Sequence, residues 1–236
     1  MPGNISSADD EYILRVSNLS VKLQNQVILN DVSFYVKKGT TLAILGPNGA
    51  GKSVLFKTLL NLLPYTGKIQ WMSKVRIGYV PQNISVSNIP ISVKEFLSIK
   101  DRDKVENALA LVRLNDKKML NKSLEVLSSG QLRRVLIAWA LIDEPDVLLF
   151  DEPTTGVDID NEEPIYRMLD DMKWKQGITI LLITHDVHIV KEYSDYLLAL
   201  NKCVTFFGES KMIMNLETQR KIFGEPVCVE RPTGEA

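Results

Sequence analysis

Cysteine is nearly absent from this chain. Its 236 residues hold two, Cys203 and Cys228, with no metal-ligand spacing. A disulfide framework and a zinc site are therefore not expected, and two reduced thiols of a cytosolic protein are. Long hydrophobic runs are missing too. The longest, 135–142 and 178–183, fall far short of the roughly 20 apolar residues needed to cross a bilayer. Charge of one sign is lacking: 28 basic against 29 acidic residues leave a net charge of −1, which argues against a general nucleic-acid footprint. The first eleven residues are polar and carry acids, unlike a signal peptide. Internal repeats, low-complexity tracts and sustained heptads do not occur. What remains is an ordinary globular composition, 45% apolar, enough for the core of one large α/β domain or of a core with an inserted lobe.

What is present is concentrated in a few strings. Gly46-Pro47-Asn48-Gly49-Ala50-Gly51-Lys52-Ser53 fits the phosphate-binding pattern G-x-x-x-x-G-K-[ST] at every fixed position. Thr41-Leu42-Ala43-Ile44-Leu45 reads as a buried strand entering the loop, and 53–63 as the helix leaving it, with Val54 in its first turn. Glycines let the backbone curl so that successive N–H groups point inward, and the helix N-terminus adds partial positive charge. Lys52 is expected on the β- and γ-phosphates of a nucleotide and the Ser53 hydroxyl on Mg²⁺.

Val147-Leu148-Leu149-Phe150-Asp151-Glu152 reads as an apolar strand ending in two carboxylates. In a doubly wound sheet such a strand is expected to end beside the phosphate-loop strand. Asp151 would there hold Mg²⁺ through a water. Glu152 would polarise the attacking water as general base, a role worth roughly 10²–10⁴-fold in rate. The competing reading is two acids capping the turn Pro153-Thr154-Thr155-Gly156.

Alternation predicts strands at 13–23, 32–36, 67–71 and 75–80, a β-rich subdomain around 41–63. Helical periodicity follows at 93–99, 104–112 and 131–142. Strands at 147–150 and 178–184 then alternate with helices at 162–175 and 187–193, before strands at 196–200 and 203–207. The expected fold is α/β: a P-loop NTPase core with a mostly parallel sheet, an N-terminal antiparallel β-subdomain and an inserted α-helical lobe. One domain spans 1–236, with the core at about 12–83 and 144–230 and the lobe at about 84–143.

Three further strings complete a pattern: Tyr79-Val80-Pro81-Gln82, Leu127-Ser128-Ser129-Gly130-Gln131 and Ile183-Thr184-His185-Asp186. With these the chain resembles the ATP-binding cassette (ABC) family, the ATPase subunits of ABC transporters, over roughly 13–224 and in the family's motif order. The string 127–131 is similar to the signature loop L-S-G-G-Q, with Ser129 in place of a glycine. The resemblance implies that Ser128, Ser129, Gly130 and Gln131 cap the γ-phosphate of ATP bound to a second copy, so that two chains sandwich two nucleotides. A serine-capped helix start is the simpler reading of the same residues, and one geometry serves both. The resemblance makes Gln82 a contact to the metal and water, and His185 a contact to the γ-phosphate. Asp158 matches the aspartate of the loop after the second carboxylate. His188 matches nothing and is expected at the surface.

The chain departs from the family at about Leu23, where an aromatic usually stacks on adenine. Leucine covers a base by dispersion but lacks the stacking, which is worth up to about 3 kcal/mol for nucleic-acid bases. The resemblance further implies ATP and Mg²⁺ as cofactors and a separate transmembrane permease docking around 83–96, with Ser92 capping a helix there. It puts the chain on the cytoplasmic face of the cell membrane, with no nucleic-acid partner. Ile91-Ser92-Val93-Lys94-Glu95-Phe96-Leu97 and Ile222-Phe223-Gly224-Glu225-Pro226-Val227 resemble ATPases that import divalent metal ions or metal chelates. A non-transport cassette ATPase, such as one for iron–sulfur cluster assembly, is the alternative.

Overall fold

The alternating pattern at the start of the chain folds as a long hairpin, β1 (Tyr12–Leu23) against β2 (Gln26–Lys37). Gln24 and Asn25 both take positive φ at its tip, the turn that matches the twist of paired strands. In this computed structural model, which describes residues 11–72, 74–82, 90–152 and 159–224, β2 begins six residues before the expected 32–36. Asn30 and Asp31 interrupt the alternation there. Asp31 sits at positive φ, with its amide donating to Ser20 Oγ and its carboxylate accepting from Asn18 Nδ2 at 2.6 Å. β4 (Thr66–Trp71) pairs with the other edge of β1 and completes a three-stranded antiparallel sheet.

The second sheet has six strands in the order β5-β6-β7-β3-β8-β9. These are β5 (Ile77–Val80), β6 (Val147–Asp151), β7 (Thr179–Ile183), β3 (Thr41–Leu45), β8 (Tyr196–Asn201) and β9 (Cys203–Glu209). All pairings are parallel except β8 with β9. β3, β6 and β7 are buried throughout, which is why they read as unbroken apolar runs. Two expectations change. The strand at 75–80 joins this sheet instead of the β-subdomain. β6 does not adjoin β3, because β7 lies between them.

Alternate residues of the central strands feed two cores. Leu148, Phe150, Ile180 and Leu182 pack with α2 (Val93–Ser98), α3 (Val105–Leu111), α5 (Ser129–Leu141) and α6 (Ile159–Gln176). Val147, Leu149, Leu181 and Ile183 pack on the other face with α1 (Lys52–Leu59) and the antiparallel sheet. α1 stops four residues before the expected 63, because Asn61 turns to a left-handed φ of 57° and Pro64 disfavours helix at the residue before it. α7 (Val187–Tyr193) falls where expected, whereas α4 (Lys117–Leu120) and α8 (Leu216–Phe223) were not anticipated. Among the described residues no helix is long and apolar enough to cross a membrane. The reduced-thiol expectation fails at Cys203, which is disulfide-bonded; Cys228 lies outside the described residues.

Candidate functional site

The loop from Gly46 to Gly51 joins β3 to α1 at the carboxyl end of the parallel strands. Gly46 lies so close to β8 that a Cβ there would stand 2.0 Å from the Leu200 carbonyl oxygen. Gly51 caps α1 at φ 97°, and a Cβ on it would meet the Leu29 side chain at 2.5 Å. Ala50 O accepts from Lys202 N at 2.9 Å, and Lys202 O accepts from Asn30 N at 2.7 Å. The loop is thus clipped to the β8–β9 turn and, through it, to β2.

Lys52 opens α1 and is buried to 7% exposure. Its ammonium donates to the carbonyls of Gly46 at 2.8 Å and Pro47 at 3.0 Å, inside the curl of the loop. Burial pushes its pKa down, against the opposing pull of Glu152 and Asp151. Asp151 ends β6, and Glu152 is the next residue. Although β7 separates the strands, Asp151 reaches across toward Ser53, whose hydroxyl holds the carboxyl pKa down. Asp151 is buried to 3%, and its Oδ1 has no hydrogen-bond partner. Burial is the main cause of its raised pKa; the Ser53 hydroxyl opposes it, the Glu152 charge adds to it, and Lys52 and Lys57 oppose it. A buried carboxylate oxygen without a proton donor, beside a serine hydroxyl, is the hard-oxygen donor set that suits Mg²⁺.

Glu152 follows at φ 46°, a left-handed conformation for a residue with a long side chain. Its amide donates to Ile183 O at 3.1 Å, and its carboxylate accepts from Gln82 Nε2. The geometry thus joins Lys52, Ser53, Asp151, Glu152 and Gln82 at one end of the sheet. His185 lies exposed in the turn just beyond β7, at that same end. His188 is at the surface, 3.4 Å from Glu192.

Ser128, Ser129, Gly130 and Gln131 lie on the helical lobe. Ser128 Oγ accepts from the Gln131 amide at 3.3 Å, and the Gln131 side chain reaches back to the Ser128 amide, a capping box that starts α5 two residues before the expected 131. Ser128 and Ser129 are exposed. Ser92 caps α2 through a second capping box with Glu95. Leu23 is partly buried against the core of the β-subdomain. Asp158, the turn at 153–156 and residues 83–89 lie outside the described residues.

One residue escaped the sequence reading. Arg133, on the second turn of α5, is 5% exposed. Its guanidinium donates to the main-chain oxygens of Pro81 at 2.8 Å, Gln82 at 2.9 Å and Glu152 at 3.3 Å. The available signal was its register: positions 133, 137, 140 and 141 share one face of α5, and the last three are apolar and buried.

A family model described as ABC transporter matches residues 29–155. The zinc import ATP-binding protein ZnuC of Cereibacter sphaeroides is 37% identical over 215 residues, covering 90% of this chain and 88% of that protein. The ZnuC protein of Haemophilus influenzae is 34% identical, with 93% and 83% covered. Among solved structures, one described as a metal-chelate type ABC transporter in an inward-facing conformation superposes with a TM-score of 0.81 at 29% identity, covering 90% of this chain and 89% of that one. An ATP-binding cassette in its ADP conformation gives 0.78 at 26%, covering 91% and 99%.

Proposed function

The chain belongs to the ABC transporter family as an ATP-hydrolysing subunit, and on that premise we propose that it powers import of a divalent metal ion or metal chelate through a separate membrane permease. The names carried by its relatives support a metal cargo over iron–sulfur cluster assembly. In this reading 46–54 cradle the phosphates of ATP, and Lys52 trades the Gly46 and Pro47 carbonyls for phosphate oxygens. Ser53, Asp151 and Gln82 would hold Mg²⁺, which when bound would neutralise phosphate charge. Glu152 takes the proton of the attacking water, oriented by Gln82, and His185 contacts the γ-phosphate. Ser128, Ser129, Gly130 and Gln131 complete the site of a second copy, together with Asp158. The core at 12–83 and 144–230 carries the nucleotide and the lobe at 84–143 docks the permease, which puts the chain on the cytoplasmic face of the membrane.

The observation that carries the ATP–Mg²⁺ part of this reading is the buried Oδ1 of Asp151, which has no hydrogen-bond partner, beside Ser53. Its test is zinc uptake by vesicles holding this chain with its permease. ATP-dependent accumulation that Asp151→Asn abolishes is expected. ATP hydrolysis without movement of zinc or another divalent metal would remove the cargo assignment and leave the ATPase.

A further inference from the structure

We propose that Arg133 is a positioning residue that ties Gln82 and Glu152 to α5, so that the placement of the signature helix is felt at the hydrolytic carboxylate. The proposal rests on the reading of Glu152 as general base. Arg133 is a buried cation whose acceptors among the described residues are all main-chain oxygens, two on the strand-end segment at Pro81 and Gln82 and one on Glu152. A planar fork of five donors suits three separated carbonyls, whereas a lysine ammonium is a single point with three donors.

The triangle closes through side chains as well. Gln82, gripped by Arg133 at its carbonyl, donates from its own amide to the Glu152 carboxylate. Glu152 sits in a left-handed conformation that is costly for a residue with a side chain and persists only when neighbours hold it. Its backbone is held on both sides of Cα, by Ile183 O at the amide N–H and by Arg133 at the carbonyl. Arg133 lies five residues, about 7.5 Å along the helix, from Ser128. A shift of α5 when its N-terminus meets a second copy's nucleotide therefore moves the guanidinium. That loosens or tightens both residues that handle the attacking water.

A plain strut in the core would also use a buried arginine, and a double-mutant cycle separates the two. Arg133→Lys and Arg133→Met are compared with the wild type, with the neighbouring Arg134→Met as control, and with the same changes placed on Glu152→Gln. Single-turnover rates and ATP dissociation constants are measured for each. The expected result is a tenfold or greater fall in kcat for Arg133→Lys and a larger one for Arg133→Met, with ATP affinity within threefold. On Glu152→Gln the Arg133 changes cost less than threefold more, because the group they position is already lost. Additive losses, unchanged kcat, or joint loss of kcat and affinity in both variants would overturn the proposal. If Glu152→Gln itself hydrolyses ATP normally, the base reading fails. If Glu152→Gln is inactive while the Arg133 variants are normal, only the positioning role fails.

Discussion

Asp151 carries a conflict at the scale of a single side chain. Its carboxylate is buried, its pKa is raised chiefly by that burial, and one oxygen has no partner. A carboxyl whose folded pKa exceeds its unfolded value binds the proton more tightly in the folded state. Its contribution to stability is therefore fullest at low pH and is lost as pH rises from the unfolded value through the folded one. Above the unfolded value the group therefore weighs against the nucleotide-free fold. Asp151→Asn is expected to raise the melting temperature in the absence of nucleotide by a few degrees, about 1 kcal/mol being worth 2–4 °C in a chain of this size. It should abolish magnesium-dependent hydrolysis at the same time. Calorimetry and a turnover assay on one preparation check both halves. Lys52, Ser53, Asp151 and Glu152 stood out in the sequence as candidates because phosphate and metal chemistry tolerates few residue types at fixed offsets. Arg133 was not, since its acceptors are backbone oxygens of segments about 20 to 50 residues away, which leave no mark on side-chain identity.

At the scale of elements, the phosphate loop owes its shape to what it leans on. Gly46 faces the Leu200 carbonyl at a separation no Cβ tolerates, and the Lys202 backbone is clipped on both sides. Gly46→Ala must push β8 away from the loop. We expect a loss of about 1–3 kcal/mol, typical of overpacking, and weaker ATP binding. An unshifted melting curve with wild-type ATP affinity would show that this contact is unimportant. Ser128→Ala removes the cap of α5, a change worth about 1 kcal/mol, which denaturant titration will read. If Ser128 also meets the second copy's nucleotide, turnover should fall by far more than that modest loss explains. Most elements were legible from alternation and helical period. α4 was not, because four residues carry too little periodicity to register. The start of β2 was hidden because Asn30 and Asp31 break the pattern that a local irregularity then absorbs. That β7 separates β6 from β3 was beyond reach, since strand order follows from packing in space and leaves no local trace.

At the scale of the whole molecule, the two halves of the proposed chemistry stand on different elements. Phosphate loop and acids gather at the strand ends, whereas Ser128 opens a helix on the lobe with its side chain exposed. Two copies arranged head to tail would bring each lobe to the other's nucleotide. Light scattering of Glu152→Gln is expected to report a monomer without nucleotide and a dimer with ATP–Mg²⁺, the hydrolytic step being blocked. A chain that binds ATP and stays monomeric would withdraw self-association for the isolated protein. The central claim, that Glu152 drives hydrolysis from its strained seat at the end of β6, has a more direct test in the single-turnover rate of Glu152→Gln at saturating ATP–Mg²⁺. The account predicts wild-type ATP affinity and hydrolysis at least about a hundredfold slower, the worth of a general base. Hydrolysis at the wild-type rate would contradict it.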